Sequence, residues 1–335
     1  AMSSSDIAFV FSPDLDFSLP DFADLGSEGL AGTGNVHAFD GARASRALGH
    51  FQANFPERNP RILAPVAATQ SDLAHGLCPN YLATLADPNA APALIAEIIE
   101  VPAAAGASLE ALDQVLLKPM RLATGGTLDA VRFVIDPKRD SPIAINLGGG
   151  YHHGHYDRGQ GFCVYNDIAI AAALAEREYG VRRVLSVDVD AHQGNGTATF
   201  FAGRSGRAHL DLYNEDIWPG DAAARAATRW PVGLPSGTKG EAYLAALGAS
   251  LDLALNEFEP ELILYNAGTD TLEMDFLGGL CLTLADIRAR DALVLGRAAD
   301  RGVPLVAVPS GGYSDSSHIA LAGLLEVASR PRTLS

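Results

Sequence analysis

The chain has 335 residues, 48% hydrophobic and 19% charged, with 34 glycines and 19 prolines scattered rather than repeated. That composition excludes collagen-like and wholly disordered chains, and at roughly 100–200 residues per domain the length allows one large domain or two ordinary ones. Forty Asp and Glu against 24 Lys and Arg give a net charge of −16, so the basic footprint of a nucleic-acid binder is missing and no direct nucleic-acid partner is expected.

In chain order, the first apolar run, Ile7–Phe11, reads as a strand, and 14–35 (DLDFSLPDFADLGSEGLAGTGN) follows it with Pro, Gly and acids but no periodicity. A loop that long is either a flap over a site or a plain excursion. Strands are then expected at Arg61–Ala64, Ile143–Leu147, Val184–Val189, His209–Leu212, Leu262–Tyr265 and Leu305–Val308. Most are short apolar runs of buried-strand length. Ala- and Leu-rich helices are expected at Asp167–Tyr179, Glu241–Phe258, Leu284–Arg301 and His318–Ser329, with Gly180 and Gly302 placed as stops. Strands alternating with helices predict an α/β fold, a mostly parallel central sheet flanked by helices. No linker divides the chain, so 6–330 is read as a single domain.

Cys78, Cys163 and Cys281 lack C-x-x-C spacing, which indicates free thiols rather than a disulfide framework or a thiolate zinc site. The N-terminal stretch has no secretory pattern and no apolar run reaches the ~18 residues of a membrane span, so a cytoplasmic location is expected. Oligomeric state is not legible.

In parallel α/β sheets, ligands gather beyond the C-terminal ends of the strands. Four expected strands end in polar, Gly-rich loops: GGGYHHGHYDRGQGFCVYND from Gly148, DVDAHQGNG from Asp188, NAGTD from Asn266 and PSGGY from Pro309. In an extended chain Asp188, Asp190 and His192 share one face. Carboxylates crowded at the end of an apolar strand are costly unless a cation or a protonated group lies between them. Asp190, His192 and Asp270 would give three protein ligands and an open position, as catalytic zinc sites require, although such a set also accepts ferrous iron or cobalt. His152 and His153 in their glycine-rich loop suggest a catalytic pair, His155 a surface or structural residue, and Tyr313 a donor to a developing oxyanion.

These motifs carry a resemblance. GGGYHH…RGQGFCVYND, SVDVDAHQGNG, YNAGTDTLEMDFLGGL and SGGY follow the order and approximate separations of the histone deacetylase family, within the arginase/deacetylase fold and including bacterial-type histone deacetylase-like amidohydrolases. His192 to Gly196 (HQGNG), Tyr213-Asn214, Pro219-Gly220-Asp221 and LKPMRLATGGT from Leu117 to Thr127 resemble its class IV branch, and His37-x-Phe39-Asp40 resembles the family's opening helix.

The resemblance implies one Zn2+ per chain held by Asp190, His192 and Asp270, with His153 as general base and later acid. His152 would be its electrostatic companion, Asp188 the partner of His152, and Tyr313 the donor that polarises the amide carbonyl. Gly161, Phe162 and Trp218 would line an acyl-lysine tunnel, with Leu277 near its base or rim. Oxygens around Asp188, Asp190 and Asp211 are candidates for a structural K+ or Na+. Asn195 stands where many members carry a second Asp paired with the general base, so His153 is expected to be less basic than in those enzymes.

The implied activity is zinc-dependent removal of acetyl or longer fatty-acyl groups from lysine side chains of proteins or peptides, with Gly148–Gly150 leaving room for a long chain. An acetylpolyamine amidohydrolase acting on a small acylated amine is the nearest alternative, and a non-catalytic acyl-lysine binding protein the alternative from another class. A dinuclear manganese ureohydrolase is disfavoured, because DVDAHQGNG lacks extra carboxylate and histidine ligands for a second ion.

Overall fold

The structure, a computed structural model, describes residues 7–16, 40–139 and 142–330. Eight strands form one sheet: β1 Ile7–Val10, β2 Arg61–Leu63, β3 Ile143–Asn146, β4 Val184–Asp188, β5 Arg207–Asn214, β6 Trp230–Leu234, β7 Leu262–Asn266 and β8 Leu305–Val308. Every pairing is parallel, in the order β2-β1-β3-β8-β7-β4-β5-β6. The expected α/β fold is present. The order explains how the site assembles, because β3, β8, β7 and β4 are consecutive neighbours and are the strands that end in the four Gly-rich loops.

Alternation along each strand sends side chains to two apolar layers. Phe9, Ile145, Val187, Ile263 and Leu305 lie in one core, and Ala8, Ala144, Val184, Leu264 and Val306 in the other. The first core is covered by helices Arg43–Asn54, Gly240–Phe258, Leu284–Asp300 and Ser317–Ala328, and the second by Lys118–Val134 and Asp167–Tyr179. Gly180 ends the last of these in the left-handed conformation, φ 67°, as expected of a helix stop. Among the described residues no helix is long and apolar enough to cross a membrane.

The structure adds β6, which sequence reading passed over, and extends β5 beyond His209–Leu212. In β6 (WPVGL) Pro231 and Gly233 interrupt the apolar run; the strand pairs only with β5, and an edge is where a sheet tolerates proline. Of the 14–35 loop only 14–16 is described: Leu15 closes a single 3-10 turn, and Ser12 Oγ accepts from Asp14 N at 3.2 Å. The remainder, with His37 and Phe39, lies outside the described residues.

The segment LKPMRLATGGT runs from the end of a π-helical turn, Asp113–Leu117, straight into helix Lys118–Val134, with Pro119 just past the junction. Gly125 and Gly126 let this helix meet backbone and β3 directly. A Cβ on Gly125 would lie 1.8 Å from Val66 O and 2.7 Å from Ala68 N, and one on Gly126 2.6 Å from Asn146 Oδ1. Because the atoms facing Gly125 are backbone, Gly125→Ala is expected to lower stability by about 2–3 kcal/mol, read as a lower midpoint in urea with unchanged m. An unmoved midpoint would show that the 66–68 backbone yields without cost.

Candidate active site and metal-binding group

Carboxylates that accept backbone N–H groups hold the strand-end loops in place. Asp167, in the first turn of its helix, accepts Tyr151 N at 2.8 Å, Gly150 N at 3.0 Å and the Thr127 hydroxyl at 2.6 Å, which fixes the GGGYHH loop. Asp275 spans two loops. Its Oδ2 accepts Tyr313 N at 2.7 Å and Ser314 N at 3.1 Å, and its Oδ1 accepts Leu277 N at 3.0 Å and Gly278 N at 3.2 Å. Arg290, fully buried beside Asp291, donates to Gly268 O at 2.6 Å and supports the turn after β7.

The four loops bring Asp190, His192 and Asp270 together. One donor atom from each lies within 4.8 Å of the others, and all three residues are buried. His192 Nδ1 is 2.8 Å from Asp270 Oδ2 and 3.2 Å from Asp190 Oδ1. Burial, then repulsion from Asp190, pushes the Asp270 carboxyl up to about 7. Against its burial, His152 and His192 hold Asp190 well below the ordinary carboxylate range; two buried carboxylates with an imidazole nitrogen between them match the donor set of a divalent ion of the zinc type. Gly311 closes one side: its N donates to Asp190 Oδ2 at 2.8 Å, and a Cβ there would lie 2.6 Å from Asp270 Oδ2.

The adjacent histidines sit in opposite electrostatic settings. Burial opposes charge on His152, but Asp188 and Asp190 outweigh it and raise its pKa to about 9; Nδ1 is 2.9 Å from Asp188 Oδ2, and Nε2 is 3.7 Å from Asp190 Oδ1. Burial, followed by positive charge on His152 and His192, holds His153 well below the ordinary histidine range. His153 Nδ1 is 2.8 Å from Asn195 Oδ1, while Asn195 Nδ2 donates to Gln160 Oε1 at 3.1 Å. With the amide oriented this way, the ring proton lies on Nδ1 and the lone pair on Nε2. The two rings stack with centroids 4.0 Å apart.

The chain is similar to known proteins. The family model described as histone deacetylase domain matches residues 37–325. Over 97% of its length the chain is 34% identical to histone deacetylase 2 of Arabidopsis thaliana, covering 79% of that protein. The chain belongs to the histone deacetylase family. It is also 31% identical to the histone deacetylase-like amidohydrolase of Pseudomonas aeruginosa, over 61% of this chain and 56% of that one. With the acetoin utilization protein AcuC of Bacillus subtilis it shares 31% identity over 49% of this chain and 44% of the relative. The matched segments span about half the length of these last two proteins.

Within this histone deacetylase fold, the residues expected to line a tunnel fall into two groups. Trp218 packs edge-on against His153 with centroids 4.6 Å apart, and a Cβ on Gly161 would lie 2.5 Å from the Trp218 ring and 2.9 Å from His153 Cδ2. Gly161 and Phe162 both have positive φ, 51° and 66°, so this wall is a tight turn pressed on the indole. Leu277 is 36% exposed, which fits a rim and not a base. Phe276 beside it, unremarked in the sequence, is exposed and meets the Tyr313 ring edge-on at 6.4 Å. Tyr313 lies 6.2 Å from His192, centroid to centroid. Burial and the nearby Asp270 and Asp190 hold its phenol well above the ordinary tyrosine range, so the hydroxyl keeps its proton.

One expectation needs correction. Gly148–Gly150 leave no room for an acyl chain, because Cβ atoms there would meet Ala123 Cβ at 2.9 Å, Asp167 Oδ2 at 2.3 Å and Ser310 Cα at 2.5 Å; their missing side chains serve close backbone approach. Of the two alternatives for His155, surface or structural, the second fits: it is 3% exposed, with Nδ1 3.0 Å from Thr199 Oγ1. Outside DVDAHQGNG, His209 and Asp211 of β5 stand beside Asp188, and the three form a second group within 4.8 Å. Asp188, however, already accepts Asp190 N and Asn266 Nδ2 on Oδ1 and faces His152 with Oδ2.

Asp275, Asp167, Arg290 and Arg43 were missed by sequence reasoning. Arg43 is buried and reaches Ser310 O and Ser317 Oγ beneath the SGGY loop. Acids in a helix first turn (Asp167) and inside an otherwise apolar loop (Asp275) were the available signals. Asp275→Asn has one carbonyl oxygen left, which can serve only one of the two loops. Hydrogen exchange is therefore expected to speed up at Tyr313 and Ser314 or at Leu277 and Gly278 while far-UV circular dichroism is retained; full protection at both pairs would refute this anchoring.

Proposed function

We propose that the protein is a zinc-dependent lysine deacylase, hydrolysing the side-chain amide of acyl-lysine in proteins or peptides to a free amine and a carboxylate. The observation that carries this reading is the polarised histidine pair: an imidazole kept neutral, with its Nε2 lone pair free, beside a buried Asp-His-Asp group. Asp190, His192 and Asp270 would hold the ion. When bound there, zinc supplies Lewis acidity toward the carbonyl and lowers the pKa of a water to about 7.

The residues of this chain do the rest. His153 takes the proton from the attacking water through Nε2 and returns it to the leaving amine. Tyr313, still protonated, donates to the carbonyl oxygen as negative charge develops there. His152, held cationic by Asp188, keeps its neighbour from charging prematurely, and Asn195 fixes the tautomer. Gly161, Phe162 and Trp218 flank the acyl-lysine stem, with Leu277 at the rim, and the net charge of −16 favours basic partners. We read HQGNG and Asn195 as class IV features. The filled space around Gly148–Gly150 favours a short acyl group, acetyl in the simplest case.

The decisive experiment is hydrolysis of a lysine-peptide panel carrying acetyl to myristoyl groups, beside acetylated polyamines, with and without chelator. Peptide turnover that is lost on chelation and restored by about one zinc per chain is expected. Preference for polyamines would move the substrate class, and turnover that survives complete metal removal would sink the reading. Tyr313→Phe is expected to lower kcat by about 10²–10³; unchanged turnover would remove the phenol from the mechanism. Asn195→Asp puts a carboxylate on His153, stabilises its imidazolium and raises its pKa, so the acid limb of the kcat/KM profile should move to higher pH. An unmoved limb would mean that another group governs it.

A further inference from the structure

A cavity of about 390 Å³ opens at the N-terminal ends of β5 and β6, on the opposite side of His209 from Asp188. Arg204, Arg207 and Arg229 line it together with Ser205, His209 and Phe201. Among the described residues no Asp or Glu lines it, in a chain whose net charge is −16. Arg207, the first residue of β5, has its side chain 2% exposed. Two of its nitrogens pair with Glu176 at 2.7 and 2.6 Å, and the third, Nη1, is buried with no hydrogen-bond partner among the described residues. His209, two residues on, is 2% exposed; neither ring nitrogen has a hydrogen-bond partner among the described residues, and its Nε2 faces Asp211 Oδ2 at 3.6 Å.

The charges do not cancel. Glu176 neutralises Arg207, but Arg229 is 3.6 Å from Glu257 with both side chains about half exposed, a pair that solvent screens strongly. Arg204 and Arg229 rest on aromatic rings, 5.6 Å from Phe200 and 4.5 Å from Trp230. The C-terminal end of helix Asn195–Phe201, whose last turn reaches the cavity, adds only about half a negative charge. The sum remains positive. Planar guanidinium groups match the oxygens of phosphate in fixed geometry, and a dianion answers this excess better than a single carboxylate. The volume lies in the range of roughly 300–1,000 Å³ typical of small-molecule sites, and polymeric nucleic acid is opposed by the overall charge.

We propose that this cavity binds a small phosphate monoester, at the opposite end of the sheet from the metal-binding group. The inference does not depend on the deacylase reading. The test is isothermal titration calorimetry of the metal-loaded protein with ribose 5-phosphate, and with ribose and acetate at matched ionic strength. Saturable binding of one ribose 5-phosphate per chain is expected, with both controls silent. In an Arg204→Ser/Arg229→Ser variant the affinity should fall about tenfold or more, with basal hydrolysis retained because neither residue approaches the loops. Arg207 is left intact because its pairing with Glu176 supports the fold. No saturable phosphate binding, equally tight binding of acetate or ribose, or unchanged affinity in the double variant would overturn the proposal; the last would place the phosphate elsewhere, the metal group included.

Discussion

Asp188, Asp190 and Asp270 are no more than 1% exposed and sit together at the ends of neighbouring parallel strands. Carboxylates in that position repel one another and have lost their hydration, so they are tolerable only with positive charge among them. The rest of the site follows from this constraint. His152 takes one share of the negative charge and becomes cationic; His192 lies between the remaining two carboxylates, where an ion fits. His153, next to both, is driven the other way and stays neutral. One electrostatic problem thus divides two chemically identical side chains into a charged and an uncharged partner.

How much of this could be read in advance varies with the kind of signal. The four central strands were legible because each is a short apolar run closed by glycine and polar residues, and the candidate metal-binding triad because Asp190 and His192 alternate just past β4 and Asp270 stands just past β7, three strands later in sequence and beside β4 in the sheet. β6 was not legible, since proline and glycine disguise it as a turn. Gly125-Gly126 lies inside a helix, where the missing side chains allow contact with residues 66–68 and β3. Arg43, Asp167 and Asp275 act on backbone atoms of other segments. Arg43 and Ser310 are separated by 267 positions, and no local pattern announces such a bond.

Charge was legible only as a total. The sum of −16 hides a local reversal at the N-terminal end of β5, where three arginines line one cavity. His209 shows the same limitation at smaller scale. In sequence it is one residue of a strand, whereas in the fold it stands between that cavity's wall and Asp211, 3.6 Å away.

Asp275 joins the segment carrying Leu277 to the segment carrying Tyr313 through a single carboxylate. The rim and the phenol are therefore one mechanical unit. Under the proposed deacylase reading, a bulky substrate flank that displaces Leu277 would also shift the Tyr313 hydroxyl, so discrimination at the mouth would be registered in the rate of bond cleavage as well as in affinity. Selectivity among neighbouring sequences would then appear in kcat, from contacts that never touch the reacting atoms.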